Sequence, residues 1–395
     1  MTAKKSTKLL KAPLLASLVL LTGVACSSSS NQSKAAQSDY TVASLCHESD
    51  PIVEPECYQV TQAVFDEVNA KGGVNGHQLK LQHCDNKNDP TTVTACIRKY
   101  TTDDTILAFV GDSYDPGICS QLTSQKMASI APLVLNADDL TCSNAFPISG
   151  WGGAAFAASA KYTIGKGARA PAAIYPANQA GEQSVGGLQS VYGPENVPVE
   201  KIPASYSSPS YSPFVAKAAS VKADPLYVLE SAPIMLKIFQ AAEAQSYSPT
   251  FVLPYTCAHT DFLTQIGDRG NGSVCAVPYK HAGAKSAAPA AFVSTMDKYG
   301  PKDWRYTYNG VNSWIASHIL IQALTSIQGD ASRSSLLDAM KKLTYSDEFT
   351  LDPINFSKLP GTLKGQPRVP TASFEIYSVQ NGGLQPVTEV SLSSP

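Results

Sequence analysis

Apolar residues are spaced along this chain in two alternating rhythms. Tyr40 to Leu45 is a β-rich run, and Cys57 to Ala70 then places Val60, Val64, Phe65 and Val68 on one helical face before Gly72 and Gly73 stop it. Gln78 to Gln82 alternates Leu79 and Leu81 as a strand does, Asp89-Pro90 opens a second helix, and the unbroken apolar run Ile106 to Val110 predicts a buried strand ending at Gly111. The same beat returns at Ala170 to Tyr175, Leu226 to Leu229 and Phe251 to Leu253. Pro233 sits in the first turn of a helix whose Ile234, Ile238 and Ala241 share a face. Two later stretches differ. Val311 to Ser326 predicts a longer helix aligning Ile315, Ile319 and Ala323, and Thr371 to Val379 reads as a strand turning at Asn381-Gly382-Gly383. Repeated strand–helix–strand units give parallel sheets with helices on both faces, which bind ligands at the carboxyl ends of their strands.

The first residues follow another pattern. Lys4, Lys5, Lys8 and Lys11 precede the apolar run Pro13 to Leu21 and the small residues leading to Cys26, the order of a secretory signal. The stretch Leu21-Thr22-Gly23-Val24-Ala25-Cys26 resembles a bacterial lipobox, with Gly23 where leucine is usual. Two readings stand: Cys26 is acylated and becomes the new N-terminus, anchoring the protein to the membrane, or a plain signal is cleaved nearby and Cys26 is an odd thiol. Residues 1–25 are then signal and 26–39, rich in Ser, Gln and Asn, a flexible tether. No later segment reaches the roughly 18 apolar residues a span requires.

Composition narrows the partners. Loss of the four leader lysines moves the formal net charge from −2 to −6, and no basic cluster remains, which argues against nucleic acid. About 355 residues beyond the tether predict two domains. Besides Cys26 there are eight cysteines, an even number in an exported chain, which reads as four disulfides. They fall into sequential couples, predicting Cys46–Cys57, Cys84–Cys96, Cys119–Cys142 and Cys257–Cys275. A zinc reading draws on His47, His83 and His259 beside cysteines, but no recognised ligand quartet forms, and neither metal nor cofactor is expected.

The segment Asn69-Ala70-Lys71-Gly72-Gly73-Val74-Asn75-Gly76 resembles the Asn-x-x-Gly-Gly-x-Asn-Gly turn of the branched-chain amino-acid-binding family of periplasmic binding proteins. The likeness continues through the acidic turn Asp85 to Pro90, the strand into Val110-Gly111, Ala131-Pro132, Ser212-Pro213-Phe214 and Tyr306 to Trp314, so that it spans Tyr40 to Leu384. It implies an α/β, two-lobed type I periplasmic-binding-protein fold, each lobe a mostly parallel sheet flanked by helices. The N-terminal lobe would comprise residues 40–149 plus 280–343, and the C-terminal lobe 150–279 plus 344–395. Crossings are expected near Pro147 to Gly152, Val277 to Lys280 and Leu343. It further implies a monomer outside the cytoplasmic membrane that closes on a small molecule by hinge motion and presents it to ABC permease subunits.

The resemblance also assigns site residues. The loop after Gly111 supplies ligand contacts in the family, which here selects Ser113 for its hydroxyl and Tyr114 as an aromatic wall; Ser113 as a helix cap is an equal reading. The next loop offers Asn136, Ala137 and Asp138, with acids where threonine is common, so Asp138 either binds a cation or hydroxyl or caps the next turn. The family's aromatic before a glycine is replaced by Ala180 before Gly181, and its ammonium-pairing acid falls at Tyr255. Glu230, at the end of Leu226 to Leu229, is the substitute acid or else a solvated loop residue. Tyr308 matches an aromatic that closes over the ligand. Trp151 reads as hinge packing and Trp314 as core.

Other classes find less support. The chain has no Gly-x-Ser-x-Gly elbow, phosphate-cradling loop or His-Glu-x-x-His, so catalysis is not expected. A ligand-sensing receptor subunit of a signalling system would use the same fold, and the sequence does not separate it from transport.

Overall fold

A computed structural model describes residues 38–49, 53–87, 89–111, 118–131, 140–148, 150, 152–283, 285–359 and 368–393. Residues 38–395 form one compact unit. Its elements run β1 (Tyr40–Cys46), α1 (Glu56–Ala70), β2 (Leu79–Asp85), α2 (Pro90–Thr101), β3 (Ile106–Val110), α3 (Cys119–Ser124), β4 (Ala128–Ile130), β5 (Ala145–Phe146), α4 (Gly152–Gly165), β6 (Ala172–Pro176) and α5 (Gln179–Tyr192). They continue with β7 (Glu200–Ala204), α6 (Ser212–Ser220), β8 (Leu226–Val228), α7 (Ala232–Ala244), β9 (Phe251–Leu253), α8 (Thr260–Ile266), β10 (Val274–Val277), α9 (Ala290–Tyr299) and α10 (Tyr308–Thr325). The last are α11 (Arg333–Met340), β11 (Thr344–Tyr345), β12 (Ile354–Asn355), β13 (Ser373–Gln380) and β14 (Gly383–Ser391).

These strands build two sheets and a short ribbon. The first sheet has the order β2-β1-β3-β4-β5, all parallel. The second has the order β14-β13-β10-β9-β8-β6-β7, parallel from β10 to β7, with β13 and β14 added antiparallel. β11 and β12 pair apart from both. This is the two-lobed α/β architecture that the resemblance implies, built of the helix-flanked parallel sheets that the alternating rhythm predicts. The hairpin at Asn381 and Gly382 turns through φ +51° and +69°, as its Asn-Gly sequence requires.

The apolar runs are continuous because both faces of each sheet are covered. In β6, Ala172 and Ile174 enter one core cluster while Ala173 and Tyr175 enter another, and β8 divides in the same way between Leu226 and Val228 on one side and Tyr227 on the other. α1 packs on α9 and α10, and so draws late helices onto the first sheet. Val60 and Val64 of α1 are fully buried there, each worth about 1.5–3 kcal/mol relative to exposure. The turn after α1 needs its glycines. Gly73 sits at φ +77°, and a Cβ on it would lie 2.0 Å from the His77 carbonyl oxygen.

Two passages of chain between the sheets run side by side. Tyr279 bridges to Thr350, and Lys280 N–H donates to the Phe349 carbonyl at 2.8 Å. The structure joins the four sequential cysteine couples, Cys46–Cys57, Cys84–Cys96, Cys119–Cys142 and Cys257–Cys275, with Cα–Cα separations of 6.0, 6.2, 5.6 and 6.6 Å. The first three tie elements of the first sheet, and the fourth links the turn after β9 to β10.

Candidate functional site

Parallel strands end together, so the carboxyl edges of the two sheets are where side chains from different elements converge. On the first sheet, β3 ends at Gly111 and β4 at Ala131. Helix α10 fixes both ends: Ser313 Oγ donates to the Gly111 carbonyl at 3.5 Å, and Asn312 Nδ2 donates to the Ala131 carbonyl at 2.7 Å. Gly111 has φ +61°, and a Cβ there would lie 2.8 Å from Ser313 Oγ, so only glycine lets the helix approach this closely. Ser113, Tyr114, Asn136, Ala137 and Asp138, and also Cys26 and Trp151, lie outside the described residues.

Two of the remaining expected site residues meet. Tyr308 is the first residue of α10, capped by Thr307, whose hydroxyl accepts from Gly310 N–H at 3.2 Å. Its ring lies 4.3 Å from that of Tyr255, which follows β9 of the other sheet, with the planes inclined at 31°. Tyr279 completes the cluster at 5.7 Å from Tyr308. Burial holds the phenols of Tyr255 and Tyr279 well above the usual tyrosine range, so both are uncharged. Trp314 is core: it is 6% exposed and packs on Phe292 at 5.1 Å.

A charge cluster borders these rings. Glu54 accepts a hydrogen bond from Asn309 Nδ2, the residue after Tyr308. Burial, and then the neighbouring Glu56, push its carboxyl up to about 7, against the lowering influence of Asn309 and Arg305. Glu56 is 2% exposed and paired with Arg305, whose guanidinium also donates to Asp261 at 3.1 Å and to the Val53 carbonyl at 3.1 Å. Burial raises Glu56, and Arg305 opposes the rise. His259 lies 4.0 Å from Glu54, but burial and Arg305 depress its pKa to about 4. Near pH 7 the imidazole is therefore neutral and Glu54 half-protonated, so this contact is not a full ion pair.

Glu230 stands at the carboxyl edge of the second sheet, two residues past β8. It is 4% exposed, and neither carboxyl oxygen has a hydrogen-bond partner among the described residues. Desolvation raises its pKa to about 8. Burial and the nearby Glu230 carboxyl raise the phenols of Tyr206 and Tyr211, which lie past β7; a hydrogen bond from Asn178 to Tyr206, past β6, works against that rise. Gly181, in the first turn of α5, lies so close to the β6 end that a Cβ would stand 2.0 Å from the Pro176 carbonyl oxygen.

A cavity of ≈ 330 Å³ opens among α7, α8 and the segment that leads into α10. It is lined from the second sheet's side by Ala232, Pro233 and Leu236 of α7 with His259 and Phe262, and from the other by the residues leading into α10. Its size suits a small organic molecule. Among the described residues no group of three His, Cys, Asp or Glu side chains could hold a metal ion, and no helix is long and apolar enough to cross a membrane.

The structure thus brings Tyr255 and Tyr308 together and places Glu230 after β8, on the carboxyl edge of the second sheet from which Tyr255 also extends. Sequence reasoning missed Glu54, Glu56, Tyr206 and Arg305. A signal existed for three of them, since Glu54 and Glu56 flank Pro55 just ahead of an apolar helix face and Arg305 interrupts an aromatic run.

A family profile described as periplasmic binding protein matches residues 49–376. No curated protein sequence matches the chain. Among solved structures, a possible leucine/isoleucine/valine-binding protein from Rhodopirellula baltica SH 1 is 16% identical, with a TM-score of 0.76 over 89% of this chain and 97% of that one. A fatty acid ABC transporter substrate-binding protein from Thermomonospora curvata is 16% identical, with a TM-score of 0.74 over 90% and 93%. An ABC transporter solute-binding protein from R. palustris in complex with benzoate is 19% identical, with a TM-score of 0.73 over 90% and 97%. At these identities the likeness is one of fold.

Proposed function

The chain belongs to the family of periplasmic binding proteins, and from that premise we propose that it captures a small organic solute between its two lobes and delivers it to an ABC importer. The observation that carries this reading is the meeting of Tyr255, which follows β9 of the second sheet, with Tyr308 of α10, whose N-cap residue Thr307 lines the cavity of ≈ 330 Å³. Aromatic faces contributed by opposite walls give a solute apolar surface that forms only when the walls approach, so binding favours closure and a permease reads the closed form. From the first sheet, Ser113 supplies a hydroxyl and Tyr114 an aromatic wall, and Asn136, Ala137 and Asp138 contribute from the next loop. The lobes comprise 40–149 with 280–343, and 150–279 with 344–395.

Export through residues 1–25 and acylation of Cys26 place the protein on the outer face of the cytoplasmic membrane, with 26–39 as tether. Two of the structurally similar proteins carry ABC transporters in their names, which supports a permease as the partner. Their solutes, a fatty acid and benzoate, set the scale of the ligand.

The test is a thermal-shift screen of the purified protein, refolded from denaturant to strip bound solute, against amino acids, amides, aromatic acids, fatty acids and polyols. A ligand at 100 times its Kd adds about 2.7 kcal/mol, a clear rise in Tm. A folded protein whose Tm no solute raises would overturn capture as its role.

A further inference from the structure

An ion pair inside one rigid body leaves its shape unchanged, whereas a pair that spans two bodies able to part biases how often they part. Among the described residues, the pairs of lysine or arginine with an acid stay within one half of the fold, with a single exception. Lys80 with Asp39 and Arg305 with Glu56 belong to the first sheet and its helices, and Lys201 with Glu182 and Lys217 with Glu200 to the second. Lys71 with Glu67 and Lys341 with Asp338 lie along one helix each. The exception is Arg305 with Asp261, at 3.1 Å.

Arg305 is fixed to the first half. It precedes α10, which docks on the ends of β3 and β4, and its guanidinium is held by the buried Glu56 at the start of α1 and by the Val53 carbonyl at 3.1 Å. Asp261 is fixed to the second. It stands in the first turn of α8, which follows β9, and the Cys257–Cys275 disulfide ties the turn ahead of α8 to β10. Both residues line the cavity, one from each side, and their side chains are 41% and 64% exposed, so the bond between them faces water.

We infer that the Arg305–Asp261 pair is a clasp across the capture cavity: it holds the two walls together and sets how long they stay closed. The inference rests on the solute-capture reading and adds to it two positioning residues, which act on the walls and not on the solute. Glu56 and Val53 already orient the guanidinium, and its planar fork keeps further N–H groups in set directions, so little side-chain freedom is lost when Asp261 meets it. Losing an exposed pair of this kind should raise the ratio of open to closed molecules by about 2- to 5-fold. Asp261 also faces the positive end of α8, so stability alone does not identify the clasp; the distance between the halves does.

The experiment is single-molecule energy transfer on the purified protein without added solute. One dye sits on α2 at Lys99 and the other on α5 at Gln189, both exposed positions, coupled through azido amino acids that leave the cysteines untouched. Two distances are expected. Asp261→Asn should raise the open-to-closed ratio by about 2- to 5-fold, and Asp261→Glu, which keeps the charge, should return it toward the parent value. Salt at about 1 M, where the screening length is about 3 Å, should carry the parent toward the Asp261→Asn ratio and leave that variant unmoved.

A ratio that Asp261→Asn leaves unchanged would overturn the clasp, even if the variant melts lower, because the acid would then serve α8 alone. A single unchanging distance in all three proteins overturns it too, as does a salt response equal in parent and variant. Solute capture is decided separately: a solute that raises Tm while the ratio ignores Asp261→Asn leaves capture standing without the clasp, and the expected ratios with no solute in the screen leave a clasp between walls that serve another purpose.

Discussion

Tyr255 and Tyr308 stack with ring centroids 4.3 Å apart although 53 positions separate them in sequence and they extend from different sheets. One follows β9, where the chain leaves the second sheet, and the other opens α10, which is docked on the strand ends of the first. Each therefore carries a rigid support of its own, and their contact is a joint between two walls.

Truncating this joint should cost both stability and closure. Tyr308→Ala empties a nearly fully buried aromatic site and should destabilise by about 3–5 kcal/mol in urea unfolding, while Tyr255→Ala, at a half-buried position, should cost less. A double-mutant cycle should return a coupling of about 0.5–1.5 kcal/mol. Strictly additive losses would mean that the rings do not act as a pair.

Glu54 and His259 should leave opposite marks on the pH dependence of stability. Folding raises Glu54 from 4.5 to about 7, so the native state holds the extra proton across that interval and loses stability as pH rises through it. Folding lowers His259 from 6.5 to about 4, so the native state binds fewer protons there and loses stability as pH falls from 6.5. Measured against the parent, Glu54→Gln should gain between pH 4.5 and 7 and level off above. His259→Gln should gain as pH falls from 6.5 to 4. Each difference should be on the order of a few kcal/mol; two flat difference curves would show that neither group is held as described.

Arg305 divides its charge between a buried and an exposed acid, and the two should answer differently. Removing it in Arg305→Ala strands Glu56 inside the protein and should cost about 1–3 kcal/mol, moderated because Arg305 is 41% exposed. Asp261→Asn, at a side chain 64% exposed, should cost under about 1 kcal/mol. Thermal melts of the two variants at low and high salt check this, with only the Asp261 effect fading as salt rises.

The four disulfides close segments of 11, 12, 23 and 18 residues. Each such loop is worth about 3 kcal/mol through the unfolded chain. Replacing both Cys119 and Cys142 by Ser should lower stability by about that amount, slightly more than the same change at Cys46 and Cys57, and reductant should lower the Tm of the parent. An unchanged Tm under reductant would overturn the pairing.

Several features were legible in the residues because their causes are local. Gly72 and Gly73 announced a helix stop since only glycine enters positive φ without strain. The runs at Ile106 to Val110 and Leu226 to Leu229 read as buried parallel strands because both of their faces need apolar side chains. Short strands such as β4 and β5, three and two residues long, were not legible, because so few residues carry no period. Neither was Tyr206, which lies in a Ser-rich stretch that looks like any surface loop.

The chain's sequence by itself determined the alternation of strand and helix, the parallel character of the sheets, the cysteine couples and the tyrosines that were candidates for the site. Local propensity, periodicity and spacing act over a few residues, and that is the range over which sequence speaks. Only the tertiary structure decided that Tyr255 meets Tyr308, that Arg305 holds Glu56 and Asp261 together, and that Glu230 is buried with no hydrogen-bond partner among the described residues. Those facts depend on which elements pack side by side, and on how much water that packing removes from a charge.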